Sequence, residues 1–371
     1  MSDSTPVLIP ADTVFRPEDI TFWADQQHRS LDEAIAGADL LVSCPHAGAA
    51  IPAEIAQFLS PAFTRRLQYD FTDVSTSAVV RRWAAIDPRI VYVENPHPRL
   101  IRDPNRQKPA DLRASLREAF DRIRQAGPYV KTDLTGVDAV RPVTFSFYPL
   151  LLVPETDEEI DAIADTFTRV ASHGLGVYES TRDALTERFI DRALAPGSSG
   201  AHFTRLSFHD TMNTTTTTDG AVNVPRDPAD RLPDVVALSN RGDHNGDPIG
   251  DSPVTMRPDL VRALADAHRT GFAVADPAAV ALNQPYLGSY EIIDAGARFR
   301  ELDAEAAEAG ATFSAVQAEF LREYLLGEAN TAILREPGTG WVTPDAEHVD
   351  RLAHACKAAW DAYRTATAAD S

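Results

Sequence analysis

The sequence predicts an α/β fold with a mixed, mostly parallel sheet flanked by helices. Three observations predict it. Short apolar runs alternate with longer amphipathic segments at helical spacing, as strands alternating with helices do. Some of these runs end in Gly/Pro turns that carry polar residues, as strand ends in α/β folds do. No internal repeat and no strong linker interrupts the alternation. Residues 1–371 therefore read as a single domain, with its motif-bearing core over 40–330 and a C-terminal helix over 345–366.

The elements follow in order. Residues 38–42, with Leu40 and Leu41, form a buried strand that runs into a turn. Residues 53–66 place Ile55, Phe58, Leu59 and Phe63 at helical spacing, and 75–83 repeat the pattern with Val79, Val80 and Trp83. Residues 89–93 are a strand, 110–124 a highly charged helix, and 145–153 a strong apolar run. Helices are expected over 157–172, behind acidic starting residues, and over 181–194. The Pro196-Gly197-Ser198-Ser199-Gly200 break precedes a strand over 203–208. Residues 213–234, rich in Thr, Asp and Pro, read as a surface loop; 235–238 is a short strand and 257–270 a helix. Residues 316–326 form an amphipathic helix or a buried segment.

Composition excludes several function classes. The chain has 371 residues, 44% of them hydrophobic, which is ample for a core. No run of about 18 apolar residues occurs, so no membrane span is expected. Met1-Ser2-Asp3-Ser4-Thr5-Pro6 lacks the basic and apolar regions of a leader. The two cysteines, Cys44 and Cys356, are far apart and form no CxxC pair, which points to a reducing, cytoplasmic setting and away from a thiolate zinc site. The net charge is −20, and lysine occurs only at Lys108, Lys131 and Lys357. Such a chain is repelled by nucleic acid and anionic lipid, so neither is expected as a partner. To bind an anionic small molecule it must concentrate arginine locally. No G-x-S-x-G elbow and no G-x-x-x-x-G-K loop is present, which argues against a serine hydrolase and a nucleotide-binding protein.

Four groups of residues carry possible chemistry. His46 lies in Cys44-Pro45-His46-Ala47-Gly48-Ala49-Ala50-Ile51-Pro52, just past a strand. His209 follows the strand over 203–208 and precedes a polar Asp210-Thr211-Met212-Asn213 turn. Either histidine alone is more often an ordinary polar residue near a turn. Two at strand ends are what a metal site requires if the strands are neighbours. Asn95-Pro96-His97-Pro98-Arg99-Leu100-Ile101-Arg102-Asp103-Pro104-Asn105-Arg106 packs Arg99, Arg102, Arg106 and Asn105 into one loop. Guanidinium groups bind carboxylates in bidentate fashion, so this loop is either an anion-recognition device or a solvated loop of salt bridges. Gln317 and Glu319 sit in an apolar stretch, where spacing of two places both on one strand face. A carboxylate there is either paired or used as a general base.

With these motifs in order, the chain resembles the N-formylglutamate amidohydrolases, whose fold is similar to that of zinc carboxypeptidases and aspartoacylases. The PHxGxxIP signature appears as Pro45-His46-Ala47-Gly48-Ala49-Ala50-Ile51-Pro52, and a DxD-like element as Asp70-Phe71-Thr72-Asp73. The SRYxxDLNR element appears as Arg99-Leu100-Ile101-Arg102-Asp103-Pro104-Asn105-Arg106, and the DxHS strand end as Ser207-Phe208-His209-Asp210. The LPDxxLG element appears as Leu232-Pro233-Asp234-Val235-Val236-Ala237-Leu238, and a region like NxxFKGGY as Asn283-Gln284-Pro285-Tyr286-Leu287-Gly288-Ser289-Tyr290. AVQLEM appears as Ala315-Val316-Gln317-Ala318-Glu319-Phe320. The chain departs from the pattern at Ser207, Asp210, Arg102 and Gly288-Ser289, and residues between Arg106 and His202 match only loosely.

The resemblance implies a metal-dependent amidohydrolase that cleaves the amide of a small N-formyl or N-acyl amino acid. It implies one Zn²⁺ held by His46, His209 and a carboxylate, with Asp73 the first candidate and Asp70 the second. Ala49 stands where carboxypeptidases carry the acidic ligand. Glu319 would take a proton from the attacking water, and Arg99 would stabilise the oxyanion. Arg102, Asn105, Arg106, Gln317 and Tyr290 would bind the carboxylate substrate. A same-fold carboxypeptidase or deacylase, and a non-catalytic binder of acidic ligands, remain the alternatives.

Overall fold

The computed structural model describes residues 4–198 and 200–368. The apolar runs assemble into a seven-stranded sheet of β1 (Thr21–Trp23), β2 (Leu40–Cys44), β3 (Ile90–Glu94), β4 (His202–Thr211), β5 (Val236–Ser239), β6 (Val280–Leu282) and β7 (Thr312–Leu321). The spatial order is β6-β5-β7-β4-β2-β3-β1. β2 is parallel to β3 and β4, β4 is parallel to β7, and β5 is parallel to β6; β7 meets β5, and β3 meets β1, in antiparallel fashion. The mixed, mostly parallel sheet is thus as the alternation predicts.

Helices cover both faces, which is why all five residues of β2 are buried. Side chains alternate across the pleat. Leu40, Val42 and Cys44 join Val79, Val80 and Trp83 of α1 (Val74–Ile86) in one core. Leu41, Val91 and Val93 face the opposite core, whose helices are introduced below. A separate cluster is formed over the sheet's end by Leu116 and Phe120 of α2 (Leu112–Ala126) with Ile160, Ile163 and Phe167 of α3 (Asp157–His173). α3 starts in a capping box, Thr156 with Glu159, behind three acidic first-turn residues that suit the helix dipole. The opposite core is closed by Leu175, Tyr178 and Phe189 of α4 (Leu175–Leu194). Phe189 stacks on Phe203 of β4 with centroids 4.8 Å apart, a contact worth about 0.5–1.5 kcal/mol beyond its burial. α5 (Pro258–Gly271) completes the first core, α6 (Tyr290–Glu301) the second, and the closing α7 (Ala346–Ala368) packs Leu352, Cys356 and Trp360 against the first. Among the described residues no helix is long and apolar enough to cross a membrane.

Several expectations need correction. Residues 53–66 are not one helix: a 3₁₀ turn over Ala53–Phe58 and a helix over Arg65–Asp70 flank Ser60-Pro61, because the residue before proline avoids helical geometry. The apolar run over 145–153 forms neither helix nor strand, only isolated bridges at Leu151 and Pro149. The loop over 213–234 contains a hairpin of Thr214–Thr216 with Val222–Pro225. Residues 316–326 are strand through Leu321 and helix over Arg322–Leu326. β4 continues to Thr211, so His209 lies within the strand and does not follow it. Met1 to Asp3 of the N-terminal stretch and Ser199 of the Pro196–Gly200 break lie outside the described residues.

Candidate active site

The site is built where β2, β3, β4 and β7 end. β2 stops at Cys44 and the His46 turn follows. Asn95, past the end of β3, clamps that turn: its Nδ2 donates to the Pro45 carbonyl at 2.9 Å and its N–H to that of Cys44 at 3.1 Å. Gly48 is needed here because a Cβ would stand 2.1 Å from the Pro96 carbonyl group. The Asp73 N–H donates to the His46 carbonyl at 2.9 Å, tying the turn to the start of α1. Asp73 is the N-cap residue of α1, yet its side chain makes no capping bond. Its carboxylate points instead between two imidazoles.

Asp73 Oδ2 lies 3.3 Å from His46 Nδ1 and 3.2 Å from His209 Nδ1. The two rings are 5.0 Å apart between centroids, and one ligand atom from each of the three buried residues falls within 4.8 Å of the others. The outer nitrogens are already committed. His46 Nε2 lies 2.7 Å from Asp103 Oδ1, and His209 Nε2 lies 2.9 Å from Ser207 Oγ and 3.1 Å from the Asn105 amide nitrogen. Asp103 is also gripped by Arg99 Nη2 at 2.5 Å and by the Asn105 N–H at 2.9 Å. An ionised carboxylate only accepts, so His46 donates from Nε2 and keeps a lone pair on Nδ1. That nitrogen is buried and, despite its proximity to Asp73, has no hydrogen bond. A buried ring nitrogen without a partner, its other nitrogen held by a carboxylate, is the arrangement of a metal-ligating histidine. Two imidazoles and one carboxylate, with no thiolate, are also the donor set of an open, catalytic zinc site. These residues therefore fit a divalent ion.

The electrostatics agree. Burial would raise Asp73, but the two imidazoles hold its carboxyl well below the usual carboxylate range. Burial also opposes ionisation of Asp103, yet Arg99 and His46 hold it well below that range. Burial and Arg99 would lower His46, and the carboxylates of Asp103 and Asp73 overcome both to raise it. The same carboxylates that favour a proton there favour a cation.

Glu319 is the register partner of His209 across β7 and β4. It is 6% exposed; its Oε1 accepts from Thr211 Oγ1 at 2.7 Å and its Oε2 from Gln317 Nε2 at 3.0 Å. Gln317 in turn accepts from the Ser289 N–H at 3.0 Å. His46, Asp73, His209, Arg99, Asn105, Arg106, Gln317 and Glu319 all line one cleft of about 780 Å³. Asp70 lines it too, but its Oδ2 accepts from Thr216 Oγ1 at 2.6 Å and it is not among the three clustered donors.

Two expected substrate-binding residues lie elsewhere. Arg102 turns away to Glu179 of α4, 2.6 Å distant, and is outside the cleft lining. Tyr290 opens α6, is 38% exposed, and is likewise outside it. The remaining arginines of the loop are partly spent: Arg99 on Asp103, and Arg106 on Asp138 at 2.9 Å. The cleft instead presents two guanidinium groups with no carboxylate partner among the described residues. Arg226 donates to Tyr286 Oη at 2.9 Å and has a buried, unbonded Nε. Arg241 donates to the Gly288 carbonyl at 2.9 Å and sits at a left-handed φ of 69°, a strained backbone of the kind held at ligand sites. Sequence reasoning missed both, because each is a single arginine in a loop with no local pattern. It also left Asp103 without a role, although an acid inside an arginine cluster is a legible signal.

A family model described as N-formylglutamate amidohydrolase matches residues 38–325. The chain is similar to the crystal structure of N-formylglutamate amidohydrolase from Ralstonia eutropha JMP134, with 19% identity over 93% of this chain and 98% of that one and a TM-score of 0.47. It is also similar to the gene product Atu2144 from Agrobacterium tumefaciens, with 17% identity over 92% and 97% of the two chains and a TM-score of 0.43. No curated protein sequence matches significantly.

Proposed function

The chain belongs to the N-formylglutamate amidohydrolase family and is a hydrolase acting on amides, and on that premise we propose that it cleaves the acyl amide of a small N-acyl amino acid, N-formylglutamate or a close analogue, with the help of one zinc ion. The observation that carries this reading is the convergence of His46 Nδ1, His209 Nδ1 and Asp73 Oδ2 on one point in a cleft that also holds Glu319. These three atoms would hold the ion. A divalent ion bound there supplies a Lewis acid that polarises the scissile carbonyl and makes water more acidic.

The remaining work falls to the chain's own side chains. Glu319 takes a proton from the attacking water as the C–O bond forms. It returns that proton to the amide nitrogen as the C–N bond breaks, so that a carboxylic acid and an amine leave. Thr211 and Gln317 fix its orientation without neutralising it. Arg99 keeps its charge because Asp103 outweighs its burial, and its Nη1 is left without a partner among the described residues. That nitrogen would meet the oxyanion. Arg226 and Arg241, with Arg106 at the cleft wall, bind the free carboxylate of the amino-acid part. This selects an anionic substrate in spite of the protein's own negative charge.

The test is turnover of N-formyl-L-glutamate and of its side-chain and α-amide analogues by chelator-stripped and zinc-reloaded protein. Activity that returns with zinc and prefers the free carboxylates supports the reading. Turnover that is indifferent to chelation, or to the carboxylates, overturns the metal or the substrate half respectively.

A further inference from the structure

We propose that Glu291 is a positioning residue for the His209 ring, acting through the hydroxyl of Ser207. The inference rests on the reading that His46, Asp73 and His209 hold a divalent ion.

Glu291 lies in the first turn of α6, is 1% exposed, and is out of reach of substrate. Its Oε1 accepts from Tyr178 Oη at 2.6 Å and Arg182 Nη1 at 2.7 Å; its Oε2 accepts from Ser43 Oγ at 2.8 Å and Ser207 Oγ at 2.9 Å. Burial alone would raise its pKa, but Arg182 and Arg205 pull it down to about 2. Glu291 is therefore an anion that only accepts.

Counting protons then fixes the His209 tautomer. A serine hydroxyl has one proton. Ser207 spends it on Glu291, so toward His209, 2.9 Å away, its oxygen can only accept. His209 must donate from Nε2 and keep its lone pair on Nδ1, facing Asp73. The Asn105 amide agrees. As placed, its nitrogen faces His209 Nε2 at 3.1 Å while its oxygen is buried without a partner. Turning the amide over sets its oxygen against the Nε2 proton, as a second acceptor beside Ser207 Oγ. Both histidines then present a lone pair inward. His46 is set by Asp103 directly, and His209 by Glu291 at one remove. A carboxylate that orients a ligating histidine raises its basicity, and loss of such a partner typically weakens metal binding about 10–100-fold.

The experiment is zinc titration against a competing chelator on metal-free full-length wild type, Ser207→Ala, Glu291→Gln and Ser207→Asp/Glu291→Gln, with the melting temperature of each metal-free protein recorded. The double variant moves the carboxylate from position 291 to 207 and keeps one negative charge in the cluster. We expect Ser207→Ala to bind zinc about 10–100-fold more weakly, with a metal-free melting temperature close to wild type, and the double variant to recover most of that loss. Zinc affinity of Ser207→Ala within twofold of wild type overturns the proposal, and so does a folded double variant as weak as Ser207→Ala. If Ser207→Ala does not fold, Glu291→Gln decides alone: weakened zinc binding supports the relay and unchanged binding overturns it. If neither single variant folds, the double variant decides by whether its zinc affinity stays near wild type. Wild type that takes up no zinc overturns the metal reading and the relay with it, an outcome distinct from a wild type that binds and variants that bind equally well.

Discussion

His46 Nε2 and Asp103 Oδ1 stand 2.7 Å apart across 57 residues of sequence, and both side chains are buried. That bond sets which ring nitrogen of His46 faces the cleft. Asp103→Asn keeps the size and an acceptor but removes the charge, and it releases Arg99 from its ion pair. Zinc affinity should fall about 10–100-fold. Chelator competition on the folded variant measures it, and unchanged affinity would show that the tautomer is set by something else.

The choice between the two aspartates of the Asp70–Asp73 element has a direct test. Asp73 Oδ2 lies within 3.3 Å of both histidines, whereas Asp70 is held by Thr216 and lies 3.8 Å from Arg322. Asp73→Asn, His46→Ala and His209→Ala should each lose bound zinc and turnover together. Asp70→Asn should still bind zinc. Elemental analysis of the purified proteins reads both outcomes, and zinc lost from Asp70→Asn but retained in Asp73→Asn would reverse the assignment.

Glu319→Gln should fold, keep zinc, and lose about 10²–10⁴-fold in kcat, the usual range for a missing general base. The amide retains an acceptor for Thr211 but sets its NH2 against the Gln317 NH2, so the first of the two local hydrogen bonds persists and the second is lost. A zinc-loaded variant with near-normal kcat would leave Glu319 as a partner of Thr211 and Gln317 only.

Arg226 and Arg241 should govern KM more than kcat. Removing one guanidinium that pairs a buried carboxylate costs on the order of 2–3 kcal/mol of binding, roughly 30–150-fold. Arg241→Met and Arg226→Met are expected to raise KM for the carboxylate substrate and to change little for its neutral amide. Equal losses on the two substrates would mean that the arginines support the cleft wall and do not read charge.

What could be read from the sequence divides along a physical line. The sheet strands over 38–42 and 89–93 were legible because burial on both faces demands near-continuous apolar runs, whereas the strand over 203–208 mixes Thr204, Arg205 and Ser207 with Phe203, Leu206 and Phe208. His46, Asp73, His209 and Glu319 were legible because each sits in a distinctive short pattern at a strand end or helix start, and the structure brings all four into one cleft. Arg102 misled because local density of arginine says nothing about direction: neighbouring loop residues point to different partners, and Arg102 faces Glu179. Arg226, Arg241 and Glu291 were illegible because their roles come from contacts between elements far apart in sequence. Ser207 and Glu291, for example, meet across 84 residues. The hairpin over 214–225 was hidden by low-complexity threonines that read equally well as loop.

His268 gives a prediction about stability that is independent of the cleft. It is buried in α5 between Phe272 and Trp360, and its Nδ1–H donates to the Leu264 carbonyl at 2.8 Å. Among the described residues no carboxylate faces it; burial lowers its pKa from 6.5 to about 4, with only the Leu264 bond opposing. In the unfolded chain the imidazole takes up a proton near 6.5, while in the fold it does so only near 4. Between those values the unfolded state binds more protons, so stability rises with pH there. The contribution is intact above pH 6.5 and is lost progressively as pH falls toward 4. The gap between the two pKa values corresponds to about 3 kcal/mol. His268→Gln keeps a donor for Leu264 and cannot titrate. Its stability relative to wild type, measured by denaturant unfolding, should be constant above pH 7 and improve by about 3 kcal/mol on acidification to pH 4. If the two proteins lose stability in parallel over that interval, His268 is not held neutral by the core.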